Sequence, residues 1–370
     1  MPPNKQSLDL AALRSALQEA GSPWQQQHTS MTALSESDRV IRLGVPVPDD
    51  VDPEQKAREG LTAHAMATTA AMGGAAVPTS FDLRNVNGRN FTTPIRDQGG
   101  CGSCVAFGTV ATLEGVTRYT RGNPTLPIDY SEAQLFYCWG KNAGATCSTG
   151  WMPDQALNAC QNNGVTFEDY FPYTAGDQAC NVNADWPNKL AKVTSWQNIT
   201  GNVPAMKQYI STYGAIGACF YVYQDFFSYG GGVYRHVTGG LAGGHCVSLV
   251  GYDDSQSCWI AKNSWGTGWG EGGFFRIAYG ECAMETWQVC GVQGVQLRLW
   301  LSNQQIQGLW SNEADANVWA YVSTWGWRRL SPATATTTES MLVELAAAKN
   351  ASRPVNLFDD FGTIEQLYVL

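Results

Sequence analysis

Long apolar runs are missing from this chain of 370 residues. No stretch approaches the ~20 consecutive apolar residues that a membrane-spanning helix needs, so no helical span is expected. Positive charge is sparse as well: 23 Lys and Arg stand against 32 Asp and Glu, a net charge of −9. No basic run breaks that balance, which excludes nucleic acid as a general partner. The cysteines do not fall at zinc-type spacings, and the glycine pairs make no nucleotide fingerprint after a strand. Neither a metal nor another cofactor is therefore expected. Histidine is scarce, with four residues in the chain: His28, His64, His236 and His245. Chemistry that needs an imidazole has few positions to draw on. The opening Met1-Pro-Pro-Asn-Lys-Gln-Ser holds no apolar core of a secretory signal.

What the chain does hold is a glycine-rich turn, Gln98-Gly-Gly-Cys-Gly-Ser-Cys104, that leads into the apolar run Val105-Ala-Phe-Gly-Thr-Val-Ala-Thr-Leu113. The run reads as a buried helix that begins at Cys104. A thiol at a helix N-terminus faces unsatisfied N–H groups and the positive end of the helix dipole, and both favour the reactive thiolate. Such a thiol needs an imidazole to take its proton, and the imidazole needs a third group to orient it. His245 stands in Gly-Gly-His-Cys-Val-Ser-Leu-Val-Gly-Tyr, and Asn263 follows in Lys-Asn-Ser-Trp-Gly-Thr-Gly-Trp-Gly-Glu.

These segments, in this order, resemble the papain-like cysteine peptidases over about residues 78–293. Position 105 departs from the pattern, with Val where the family has an aromatic. The resemblance implies that Cys104 is the nucleophile, His245 the base, Asn263 the orienting amide and Trp265 the indole that shields the hydrogen bond between them. Gln98 and the Cys104 N–H would stabilise the oxyanion. It also implies two bridges, Cys101 with Cys147 and Cys138 with Cys180. Cys282 is left either to pair with Cys290 or to stay free, and Cys160, Cys219, Cys246 and Cys258 read as buried thiols. Disulfides favour an oxidising or extracellular compartment. The family's main specificity pocket would take Gly150, Trp151 and Met152 on one wall and Cys219, Gly243 and Cys246 on the other. Trp287 would close its far end.

The fold expected is α+β, papain-like, with a helical lobe over 104–190 and a β-rich lobe over 191–293. Residues 1–77 precede Val77-Pro-Thr-Ser-Phe-Asp-Leu-Arg84, which resembles the start of a mature domain. They would serve as an intramolecular inhibitor, with a helix from Ser7 to Glu19, a second over 34–43 and a flexible connector over 60–76. Residues 294–370 match nothing in the family's basic domain. They read as a small α+β module with strands near 295–301, 306–311, 317–323, 354–358 and 364–370. A helix over 339–348, capped by Thr337 or Thr338, completes it. Its Trp300, Trp310, Trp319, Trp325 and Trp327 are expected to fill the module's core rather than to stack on sugars or bind a partner. The function implied is a cysteine endopeptidase made as a latent precursor and acting on protein or peptide substrates. The competing reading is a silent peptidase scaffold whose C-terminal module binds a protein or carbohydrate. Oligomeric state is open at this level.

Overall fold

The computed structural model describes residues 9–48, 52, 55–56, 58–63 and 77–370. In the N-terminal segment, leucines at helical spacing form α1 (Leu10–Glu19), with Leu13 and Leu17 buried. Asp9 caps it by accepting from the N–H groups of Ala11 and Ala12; Ser7, the expected start, lies outside the described residues. Strand β1 (Trp24–Gln26) follows. The helix expected over 34–43 contracts to α2 (Glu36–Val40), capped by Ser35. Its start is set by Ser35, whose hydroxyl accepts the Asp38 N–H. Of the connector expected over 60–76, residues 60–63 are helical, and the rest lies outside the described residues.

The helical lobe is built around α3 (Cys104–Thr120), which is buried along nearly its whole length, as an all-round apolar helix must be. Gln134–Gly140 forms a π-helical segment. Ser131 stands just ahead of it, its hydroxyl accepting the Gln134 N–H at 2.9 Å. Helix α4 (Pro153–Asn162) opens on a proline, whose missing N–H would have had no intrahelical partner there. Disulfides join Cys101 to Cys147 and Cys138 to Cys180. The remaining seven cysteines are free and buried, Cys282 and Cys290 among them.

The strands are β2 (Ser80–Asp82), β3 (Val165–Thr166), β4 (Leu190–Asn198), β5 (Ile216–Tyr223), β6 (Tyr229–Tyr234), β7 (Leu241–Asp253), β8 (Cys258–Lys262), β9 (Phe274–Ala278) and β10 (Val289–Gln304). Helix α5 (Val203–Tyr213) lies between β4 and β5. The C-terminal strands are β11 (Ile306–Ser311), β12 (Val318–Val322), β13 (Gly326–Leu330), β14 (Val355–Asp360) and β15 (Thr363–Val369), with α6 (Ala335–Asn350) between β13 and β14. The described strands join in one sheet whose main path runs β1-β6-β9-β8-β7-β5-β10-β14-β15-β13-β12-β11. Strand β10 is the hinge of this arrangement. Its first half pairs with β5 and β4, and its second half with β14. Val295, Leu297, Leu299 and Leu301 alternate inward along it and bind the C-terminal strands into one core with the helical lobe.

The module differs from expectation in three ways. The strand Gly326–Leu330 is additional, and Trp327 lies within it. The helix begins earlier, capped by Thr334, while Thr338 donates its hydroxyl to the Ser331 carbonyl at 2.7 Å. The tryptophans do not fill the core. Trp325 is buried, but Trp310 and Trp327 are 48% and 47% exposed. Strand alternation explains this: Val318, Ala320 and Val322 of β12 point inward beneath α6, so Trp319 and Tyr321 must point outward.

Candidate active site

Cys104 is delivered by a turn held from both sides. The Cys101–Cys147 bridge anchors it, and the Gly102 N–H donates to the Cys147 carbonyl at 2.9 Å. No side chain caps α3. Ser103 instead shares a hydrogen bond with the Tyr173 hydroxyl at 2.7 Å, so the first-turn N–H groups stay available to an anion.

His245 lies on β7 opposite Phe220 of β5, and Asn263 sits just past the end of β8. The His245 Nε2 and the Asn263 Oδ1 are 2.8 Å apart. The same Oδ1 accepts the Ser264 N–H at 2.8 Å, which fixes it as the acceptor. Nε2 must then carry the proton, and Nδ1 is left as the basic nitrogen. Nδ1 is buried and makes no hydrogen bond of good geometry among the described residues, although the Arg42 backbone lies close enough to the imidazole to favour its protonated form. The Trp265 ring lies 4.7 Å from the imidazole, and Phe226, Phe227 and Trp269 pack around that indole. Water is thereby kept from the His245–Asn263 bond.

Gln98 is clamped by its neighbours. Its Oε1 accepts from the Ser264 hydroxyl at 2.7 Å, and its N–H donates to the Ser264 carbonyl at 2.9 Å. Its Nε2 is thereby aimed at two carbonyls, those of Cys101 at 2.8 Å and Arg42 at 2.9 Å. Ser264 thus orients both Asn263 and Gln98, a role that nothing in its own identity signals.

Behind the site, buried Lys262 donates to Thr93 at 2.7 Å, and Thr93 in turn donates to Glu114 of α3. Burial raises the Glu114 carboxyl and lowers the Lys262 ammonium, while each is pulled back by the other's charge. This bridge ties the helix carrying Cys104 to the strand that ends just before Asn263. Only an alternation of apolar residues with a lone Lys could have hinted at it.

The N-terminal segment crosses this cleft. The Gly44 N–H donates to the Cys104 Sγ at 3.3 Å. The Arg42 carbonyl takes the Gln98 amide, the Gly44 carbonyl takes the Trp151 N–H at 2.9 Å, and the Val45 N–H donates to the Gly244 carbonyl at 3.1 Å. The Arg42 guanidinium holds Asp97 at 2.8 Å. Gly44 fits because it has no side chain: a Cβ there would lie 1.8 Å from the Gly102 carbonyl oxygen. A Cβ on Gly150 would in turn meet the Gly44 oxygen at 1.9 Å. Upstream, β1 pairs antiparallel with β6, the Trp24 indole donates to the Arg235 carbonyl at 2.8 Å, and Thr29 donates to the Phe227 carbonyl at 2.6 Å.

Burial in the covered cleft disfavours the charged form of both groups. It pushes the Cys104 thiol up to about 12, with the neighbouring Cys246 sulfur adding to the effect and the Gly44 N–H opposing it. It pulls the His245 imidazole down to about 4, against the raising effect of Asn263. The covered pair is therefore a neutral thiol beside a neutral imidazole. His245 would take a proton between pH 6.5 and 4 in the unfolded chain but not in this folded form, so the folded form weakens as pH falls through that window. Cys104 would lose its proton from about pH 9 in the unfolded chain and only near 12 in this folded form, so the folded form also weakens as pH rises above 9. Each effect amounts to about 1.4 kcal/mol per pH unit across its window.

The expected pocket residues also gather near this segment. Val45 is buried in one apolar cluster with Trp151, Cys219 and Cys246, and Met152 packs at its edge. The Leu43 side chain lies over Gly243. The Trp287 indole stacks on Tyr221 at 4.4 Å, and its far edge reaches Gly244, where a Cβ would meet it at 2.2 Å. Gly44, Arg42 and Ser264 were not singled out by sequence. A glycine between Leu43 and Val45, ahead of Pro46 and Pro48, was the one available signal.

The family model of the papain family cysteine proteases matches residues 77–293. Cathepsin B-like CP2 of Giardia intestinalis is 38% identical over 221 residues, spanning 56% of this chain and 72% of that protein. Fruit bromelain of Ananas comosus is 32% identical over 220 residues, spanning 59% of each. In fold, the chain is similar to the solved proCathepsin B S9 from Trypanosoma congolense. The TM-score is 0.60 at 24% identity, over 77% of this chain and 98% of that one. With the papain family model covering more than half of its length, the chain belongs to the papain family of cysteine proteases.

Proposed function

We propose that this is a latent cysteine endopeptidase in which Cys104 is the nucleophile and residues 1–77 hold the site shut. In the opened site the Cys104 thiol gives its proton to the His245 Nδ1, and the thiolate adds to a substrate carbonyl. The oxyanion that forms takes hydrogen bonds from the Gln98 Nε2 and the Cys104 N–H. Collapse breaks the peptide C–N bond, the imidazolium proton leaves with the amine, and a thioester stays on Cys104. Water, deprotonated by His245, then releases the acid and restores the thiol. The observation that carries this reading is the pairing of a carbonyl from Arg42 with the Gln98 amide, while an N–H from Gly44 rests on the Cys104 sulfur. The segment engages both groups that an attacked peptide bond would need.

Cys104→Ala is expected to abolish peptide hydrolysis in the matured protein while circular dichroism stays unchanged; substantial residual turnover would remove Cys104 from the nucleophile's role. Gly44→Val is the companion change. It drives a side chain into the Gly102 backbone and is expected to raise the hydrolysis rate of the intact precursor at least about tenfold. An intact precursor as silent as the parent would show that residues 42–45 do not restrain the site.

The site that Val45 occupies, among Trp151, Met152, Cys219 and Cys246, would set the substrate preference. Its walls are apolar or sulfur-bearing, and burying a leucine-sized side chain there is worth roughly 1.5–3 kcal/mol, whereas an unpaired charge costs more. Cleavage is expected to favour Val, Leu or Met at the second position before the cut bond. The edge of Trp287 disfavours Phe and Tyr there. A peptide-library profile led by Arg or Lys would contradict the apolar pocket, and strong Phe or Tyr acceptance would take Trp287 out of it.

A further inference from the structure

The C-terminal module carries an aromatic cage that its own core does not use. On the antiparallel strands β11, β12 and β13, Trp310 lies opposite Trp319, and Tyr321 lies opposite Trp327. Trp319 and Tyr321 are two residues apart, so all four side chains share one face of the sheet. The opposite face is the one covered by α6. Trp310, Trp319 and Trp327 wall a cavity of about 320 Å³. Tyr321 packs edge-on against Trp327 at 5.3 Å, but no ring contact joins the three indoles to one another among the described residues.

Details around the cage keep it open and oriented. A Cβ on Gly308 would come within 3.3 Å of the Trp327 ring and of Tyr321, so the glycine leaves that indole its place. Trp319 is pinned by its indole N–H, which donates to Asn317 at 2.8 Å, and Asn317 donates to Asn312 at 2.9 Å. Arg329 lies opposite Trp319 on the same face. One of its terminal nitrogens donates to the Ala316 carbonyl at 3.4 Å, while its Nε is buried without a partner.

Half-exposed indoles around a concave site mark a surface that meets a ligand. The charge decides which ligand. The cavity wall holds no carboxylate; Arg329 puts a partly exposed guanidinium on the same face, and Glu313 and Asp315 stand apart from the wall in the hairpin between β11 and β12. A cationic ligand gains nothing from Arg329, whereas a neutral ligand rich in hydroxyl oxygens can accept from the exposed part of its guanidinium. A pyranose ring with equatorial substituents has that chemistry. Its axial C–H groups form an apolar face that lies flat on an indole, and its rim of hydroxyls can reach the amides and the guanidinium. We propose that Trp310, Trp319 and Trp327 form a binding site for neutral β-linked oligosaccharides of gluco configuration, which tethers the peptidase to glycan-rich material.

The test uses the full chain, titrated with cellohexaose and with chitohexaose and followed by tryptophan fluorescence and calorimetry. Tetramethylammonium serves as the cationic probe. At least one hexasaccharide is expected to bind, and Trp310→Ala and Trp327→Ala are each expected to weaken it at least about tenfold. Both variants should keep the parent's rate on a small fluorogenic peptide after maturation. Tyr368→Ala, which removes an exposed ring stacked on Trp300 instead, should leave binding intact. The proposal is overturned if neither hexasaccharide binds at about 10 mM. It is equally overturned if binding survives both tryptophan changes, or if tetramethylammonium binds with the tryptophan dependence expected of the sugar.

Discussion

The close approach of three glycine backbones, at Gly44, Gly102 and Gly150, sets the state of the whole molecule. Side chains at these positions would overlap backbone atoms of the opposing segment. Their absence lets residues 42–45 lie flat in the cleft and hydrogen-bond to both walls. Four backbone groups of that short segment are satisfied by Gln98, Cys104, Trp151 and Gly244. The resulting burial neutralises Cys104 and His245. Latency in this picture is dielectric as much as steric: the segment removes the water that a thiolate–imidazolium pair requires.

The rest of the structure holds the walls in register. The Cys101–Cys147 bridge and the Ser103–Tyr173 contact fix the turn before Cys104. Ser264 fixes Gln98 and Asn263 together, and the Lys262–Thr93–Glu114 bridge joins the two lobes behind them. Strand β10 then extends the peptidase sheet into the C-terminal module without a break. The module is therefore carried by the peptidase's own sheet and not by a flexible tether, and its aromatic face holds a set direction relative to the cleft.

Much of this was legible in the sequence where chemistry and chain geometry coincide. Cys104, His245 and Asn263 stand out because a glycine-rich turn, a helix start and a Gly/Trp-dense loop surround them. The four cysteines at bridging positions are joined as the family pattern implied. The N-terminal segment was legible in position but not in contact. Gly44 has no side chain to signal its role, which arises only when Gly102 and Gly150 approach from elsewhere in the chain. The tryptophans of the module misled for a related reason. Composition suggests that indoles are buried, but the alternation along β12 had already assigned the inner face to Val318, Ala320 and Val322.

The central claim is that residues 42–45 keep Cys104 a neutral, covered thiol. It is tested most directly by measuring the alkylation of Cys104 by iodoacetamide as a function of pH, resolved by mass spectrometry. The intact chain would be compared with one that begins at Val77. The account predicts that at pH 7.5 the shortened chain is alkylated at least about a hundredfold faster. Equal rates for the two chains at pH 7.5 would contradict it.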